Sequence, residues 1–125
     1  MARHRYMLLS VGTDPELLSL RSQVLRDAGY SVNPTGRVDH AIRLLDAWDF
    51  DLIILCHSIS ESDKLKIVTH AKRIRPSLPI ICVRRDGEST QLVDASVHSL
   101  DGPDKLLECI ANLLSRAYDS EKEAS

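Results

Sequence analysis

DLIILCHSIS, residues 51–60, contains an apolar run, LIIL, followed by a thiol next to an imidazole. Strands with one face in water alternate apolar and polar residues, and this run does not alternate. It reads as a strand covered on both faces, as in parallel sheets packed between helices. Its end raises three chemical readings. Cys56 and His57 could be a nucleophile with its base, half of a metal site, or the remainder of a site whose chemistry has been lost.

A second unbroken run, PIICV (79–83), has the same character, and RYMLLSV (5–11), YSVNP (30–34) and ASVHSL (95–100) supply three further strand candidates. Helical patterns separate them. After GTDPELL, either Thr13 with Glu16 has capping-box spacing or Asp14–Pro15 serves as N-cap and first helical residue. Leu17, Leu20, Val24, Leu25 and Ala28 then form a stripe that Gly29 stops. Ala41, Leu44, Leu45 and Trp48 mark a second helix. Ile67, Ala71 and Ile74, with Val68 beside them and Leu65 at the margin, mark a third that ends before Pro76. Pro103 opens the clearest helix, lined by Leu106, Leu107, Ile110, Leu113, Leu114 and Ala117. Strand and helix in strict alternation imply a parallel sheet with helices on both faces. Ligands in such sheets bind outside the carboxyl ends of the strands, where Gly12, Cys56, Arg84 and Ser99 are expected.

The 125 residues suit one domain, read as 1–117, followed by a polar tail over 118–125 that is expected to fray. A net charge of -2 argues against a partner held by phosphate neutralisation, and one Trp with one Phe offers no platform for stacking bases. Nucleic acid is therefore not an expected partner. No run approaches the roughly 18 apolar residues of a membrane span, and the apolar stretch near the N-terminus is too short for a signal-peptide core. Cys56, Cys82 and Cys109 are odd in number and lack CxxC spacing, which fits reduced thiols in the cytoplasm.

Over residues 5–117 the chain resembles a response-regulator receiver domain, most strongly in LLSVGTDPELLSLRSQVLRDAGYSV, DFDLIILC, PIICV and the closing amphipathic helix. The resemblance implies a flavodoxin-like, doubly wound five-stranded sheet of order 2-1-3-4-5. It also implies phosphoryl transfer from a partner kinase to an aspartate. In the family an acidic pair after strand one and the acceptor hold Mg²⁺, while a hydroxyl after strand four and a lysine after strand five contact the phosphoryl group. Here the acidic pair falls on Gly12 and Thr13, the acceptor on Cys56, the hydroxyl on Arg84 and the lysine on Ser99. All five are changed. Asp51, five residues before Cys56, lies about 16 Å away at the other end of the strand. The family also places a whole helix between the fourth and fifth strands, where residues 85–98 are too few for one. That fourth helix is expected to be missing or cut to a turn near STQLVD (89–94), which puts the family's usual dimer mode in doubt.

The residues leave alternatives around the site. Cys56 reads as a packed thiol, because strand neighbours point to opposite faces and His57 should not reach it. Cys56, His57 and His98 could converge as metal ligands, but no paired spacing supports this. Arg84 either enters the former phosphoryl cleft, where its guanidinium could pair with Asp14 or Asp101 in place of the missing metal charge, or is an exposed loop arginine. KLKIVTHAKRIRP (64–76) gathers cations that read as a solvated helix face or as a dock for an acidic partner. The expected function is signalling through another protein, without phosphorylation, cofactor or metal, as a monomer or a homodimer. The alternative is a thiol switch centred on Cys56.

Overall fold

The computed structural model describes residues 5–85 and 93–124. Its elements run β1 (Met7–Val11), α1 (Pro15–Asp27), β2 (Ser31–Thr35), α2 (Val38–Ala47), β3 (Leu52–Leu55), α3 (Glu61–Ile74), β4 (Ile80–Arg84), β5 (Ala95–His98) and α4 (Pro103–Ala124). The strands form one parallel sheet of order β2-β1-β3-β4-β5. This is the doubly wound order expected from the resemblance, with helices on both faces.

Two apolar layers flank the sheet. On one face Leu9, Val11, Ile53, Leu55 and Ile80 pack under α2 and α3. On the other, Leu8, Leu52, Ile54, Ile81 and Val83 pack under α1 and α4. β3 contributes to both layers, and its four side chains are fully buried. Lack of alternation in LIIL therefore reports two-sided cover, as read from the sequence.

Helix faces were less legible. α1 turns Leu18, Ser22 and Leu25 toward the sheet, with half-buried Arg21 in the same stripe. Leu17 and Leu20 remain 37% and 66% exposed, against the sequence expectation that they face the core. Leu17 and Leu20 flank the sheet-facing stripe toward α4. Trp48 and Ile74 are also exposed, because both sit at helix ends beyond the sheet edge.

Asp14 is the N-cap of α1, its Oδ1 accepting from the N–H groups of Glu16 (3.1 Å) and Leu17 (3.3 Å). The Thr13–Glu16 capping box does not form. Pro34 stands inside β2, an edge strand, where a missing N–H is tolerated.

No helix lies between β4 and β5 among the described residues, and the expected one-turn remnant at 89–94 falls mostly on 86–92, outside them. The start of β5 is anchored by Asp94. Its Oδ2 accepts from the Ile80 N–H (2.8 Å) and from Lys72 Nζ (3.2 Å). α4 continues through Ala124, carrying the helix into the segment read as a frayed tail. No helix among the described residues is long and apolar enough to cross a membrane.

Replacing Asp14 by Ala removes both capping bonds of α1. Urea unfolding of Asp14→Ala should show a loss of about 1 kcal/mol with an unchanged slope.

Candidate functional site

Parallel pairing brings the carboxyl ends of β1, β3, β4 and β5 to one edge. β1 and β3 continue in register past their last residues, with the Cys56 N–H donating to Val11 O at 2.9 Å and the Gly12 N–H to Thr35 O at 3.0 Å. By strand alternation Ser10, Gly12 and Cys56 share the α1-side face with Leu8, Leu52 and Ile54.

Gly12 and Cys56 are in direct contact. A Cβ placed on Gly12 would lie 2.9 Å from Cys56 Cβ and 3.5 Å from both Cys56 Sγ and Ser58 Oγ. Only a residue without a side chain fits this approach unless the end of β3 moves. Ser58 then ties the two loops together. Its Oγ accepts from the Thr13 N–H at 2.9 Å, and its carbonyl accepts from Thr13 Oγ1 at 3.0 Å.

Ser58 also reaches the thiol. Burial pushes the Cys56 thiol up, but hydrogen bonds from the Ser58 hydroxyl and N–H, a hydrogen bond from Arg21 and the charge of that guanidinium outweigh it. The net result holds its pKa below the ordinary thiol value. Cys56 is only 1% exposed. It is packed, as the sequence suggested, yet its sulfur is surrounded by donors and is not inert in its electrostatics. His57 is not among these thiol partners.

Arg21 was missed in the sequence because the apolar stripe of α1 was set about one residue off. With the stripe on Leu18, Ser22 and Leu25, a basic residue at 21 falls on the sheet-facing side. A charge there is unusual enough to have served as the signal.

Arg84 does not take the role expected of it. No ion pair joins it to Asp14 or Asp101, both of which are described. Asp14 caps α1, and Asp101 Oδ2 accepts from the His98 N–H at 2.8 Å. The cause is register. Val83 lies level with Cys56, so Arg84 alternates onto the face of Ile80, away from the thiol. Arg84 and Ser99 meet each other through the Ser99 N–H and Arg84 O at 2.8 Å. Neither donates to Cys56.

The residues do not fit Mg²⁺. Gly12 has no side chain, the Thr13 hydroxyl is committed to Ser58, and the nearby Asp14 carboxylate caps a helix, whereas this ion selects carboxylate oxygens. Among the described residues no group of three or more His, Cys, Asp or Glu side chains could hold a metal ion, Cys56, His57 and His98 included.

No family model and no curated protein matches the sequence. Solved structures do match it. A CheY-like response regulator receiver domain protein from Methanospirillum hungatei is 20% identical, covering 94% of this chain and 99% of its own, with a TM-score of 0.83. NtrX from Brucella abortus, in complex with ADP, is 16% identical with a TM-score of 0.87; the match covers 97% of this chain but 30% of NtrX. The response regulator TrrA from Thermotoga maritima, in complex with Mg²⁺ and BeF, is 20% identical, covering 86% of this chain and 98% of its own, with a TM-score of 0.75. At these identities the likeness establishes the fold, which is that of receiver domains.

A thiol that ionises more readily folded than unfolded stabilises the fold once charged. The contribution grows as pH rises through the folded-state pKa and is complete above the unfolded value of about 8.5; it is lost as pH falls. The stability deficit of Cys56→Ala relative to the parent should therefore widen from pH 6 to pH 9. A deficit that stays constant over that range would show that the sulfur titrates as an ordinary thiol.

Proposed function

We propose that this receiver-fold domain is a signalling module that binds another protein without being phosphorylated. The observation that carries the reading is the contact of Gly12 with Cys56. The Cys56 side chain crowds the space that a Cβ at Gly12, the first position of an acidic pair, would need, and a thiol occupies the acceptor position. Restoring a metal site there demands more than exchanging side chains.

The Thr13–Ser58 hydrogen bonds support the same reading. In the family a metal links the loop after β1 to the acceptor end of β3. Here two hydrogen bonds already close that gap, so the loops are held in one arrangement without an input. The module then signals through its surface. A groove of about 510 Å³ between α2 and α3 has exposed Leu65 and half-buried Ile42 in its lining and Lys66 and Arg73 beside them, a surface suited to an apolar, acidic partner segment.

A second reading, a thiol switch at Cys56, is favoured by one specific feature: the Ser58 and Arg21 donors around the sulfur. Against it stands burial, which slows any reagent. Peptide mapping after iodoacetamide separates the two. The signalling-module reading expects Cys56 to react more slowly than a free thiol, and rapid alkylation at pH 6, lost in Cys56→Ser, promotes the switch.

Treatment with acetyl phosphate and Mg²⁺ should leave no acid-labile phosphate on the intact protein, and Mg²⁺ in the low millimolar range should give no localised, saturable NMR shift. Cys56→Asp alone should remain unphosphorylated, since groups acting as a unit fail together. Adding Gly12→Asp should cost about 1–3 kcal/mol through overpacking against residue 56. Phosphate on the single Cys56→Asp variant would sink the proposal.

A further inference from the structure

Between α1 and α4, beside the carboxyl ends of β4 and β5, lies a cavity of about 270 Å³. Its walls are mainly apolar, contributed by Leu17, Leu20, Val24, Val97 and Leu106, and no Asp or Glu among the described residues lines it. At about 30 Å³ per water it has room for roughly nine waters, or an apolar body of seven or eight heavy atoms. Arg21 is part of the same wall. Its Nη1 is buried and has no hydrogen-bond partner, and the guanidinium lies near enough to Cys56 to help hold the thiol's pKa down. A buried donor of a charged group left unpaired is costly and asks for an explanation.

We propose that this cavity binds a small amphipathic carboxylate, its apolar body between α1 and α4 and its head group on Arg21, and that the bound anion competes with Cys56 for the guanidinium. Three independent features converge on this class of ligand. The cavity supplies apolar contact, Arg21 places a cation in its wall, and no carboxylate among the described residues lines it to repel an anion. A planar guanidinium fits a carboxylate with two parallel hydrogen bonds, which a hydroxyl cannot match. Seating such an anion takes little apolar surface to cover, because Leu17 and Leu20 already stand exposed at the mouth. The inference holds whether or not the domain is ever phosphorylated.

Octanoate, octanol and shorter fatty acids are suitable probes on the ¹⁵N-labelled full chain. Octanoate should give saturable shifts centred on the amides of Leu17, Leu20, Val97 and Leu106, and octanol should bind at least tenfold more weakly. From butanoate to octanoate affinity should rise about threefold to fourfold per methylene, as burial of each group predicts. Saturating octanoate should also slow alkylation of Cys56 at pH 7 severalfold, while Cys109 is unaffected. Arg21→Gln should bring octanoate down to the level of octanol, and Arg21→Lys should keep part of the preference. All the wild-type measurements stand even where Arg21→Gln fails to fold. Equal binding of octanoate and octanol, shifts scattered away from the cavity, or unchanged Cys56 reactivity at saturation would each overturn the proposal.

Discussion

Burial of β3 on both faces is the constraint from which the rest of the molecule follows. Four apolar side chains with no exposure commit the strand to the centre of a sheet. Fully burying them contributes on the order of 6–12 kcal/mol, an upper bound because unfolded chains are already partly collapsed. A central strand needs a neighbour on each side, and here both run parallel to it. Parallel neighbours cannot be joined by hairpins; α1, α2 and α3 carry the chain across a face and back to the same edge, and the β4–β5 connection includes residues 86–92, outside those described. The loops carrying Gly12, Cys56, Arg84 and Ser99 therefore meet at one edge for reasons of strand chemistry alone.

What happens at that edge is governed by close packing more than by charge. With Gly12 against Cys56, the loop after β1 approaches the end of β3 closely enough for Ser58 to bond Thr13 twice. Such bonds contribute about 0.5–1.5 kcal/mol each, modest beside a divalent ion, but they are always present. A metal bridge responds to ligand and charge at the site. A hydrogen-bonded bridge does not, and this one leaves no room for a side chain at Gly12.

The parallel sheet was legible because β3 and β4 are apolar without alternation and α4 has an unambiguous stripe, and its order followed from the resemblance to receiver domains. The sequence also placed Gly12, Cys56, Arg84 and Ser99 at the carboxyl ends of their strands, and the sheet brings those ends to one edge. Two things escaped it. One was the rotation of α1: Leu17, Leu20 and Val24 are as apolar as a core stripe, and periodicity cannot distinguish a stripe facing a sheet from one lining a cavity. The other was the source of the cation. Arg84 is near the site in sequence pattern, but alternation in β4 sends it to the opposite face, whereas Arg21 arrives from a helix whose orientation was misjudged. The two have separate origins, a turn of α1 by about 100° and the register of β4 against β3.

Arg21 now ties the two unusual features of the site together. Its guanidinium is charged at every accessible pH, and it sits in a stripe that packs against a sheet, a position that ordinarily disfavours charge. Stability alone gives no reason for an arginine there, since an apolar residue of similar volume fits such a position at least as well. The charge is compensated in place only by an anion, and the protein offers one: Cys56 in its thiolate form, already held by Ser58. While the thiol keeps its proton, Arg21 remains a buried cation with an unpaired nitrogen beside an apolar cavity. Ionisation of Cys56 and the proposed anion in the cavity are thus alternative answers to the same charge, which lies beside the carboxyl end of β3.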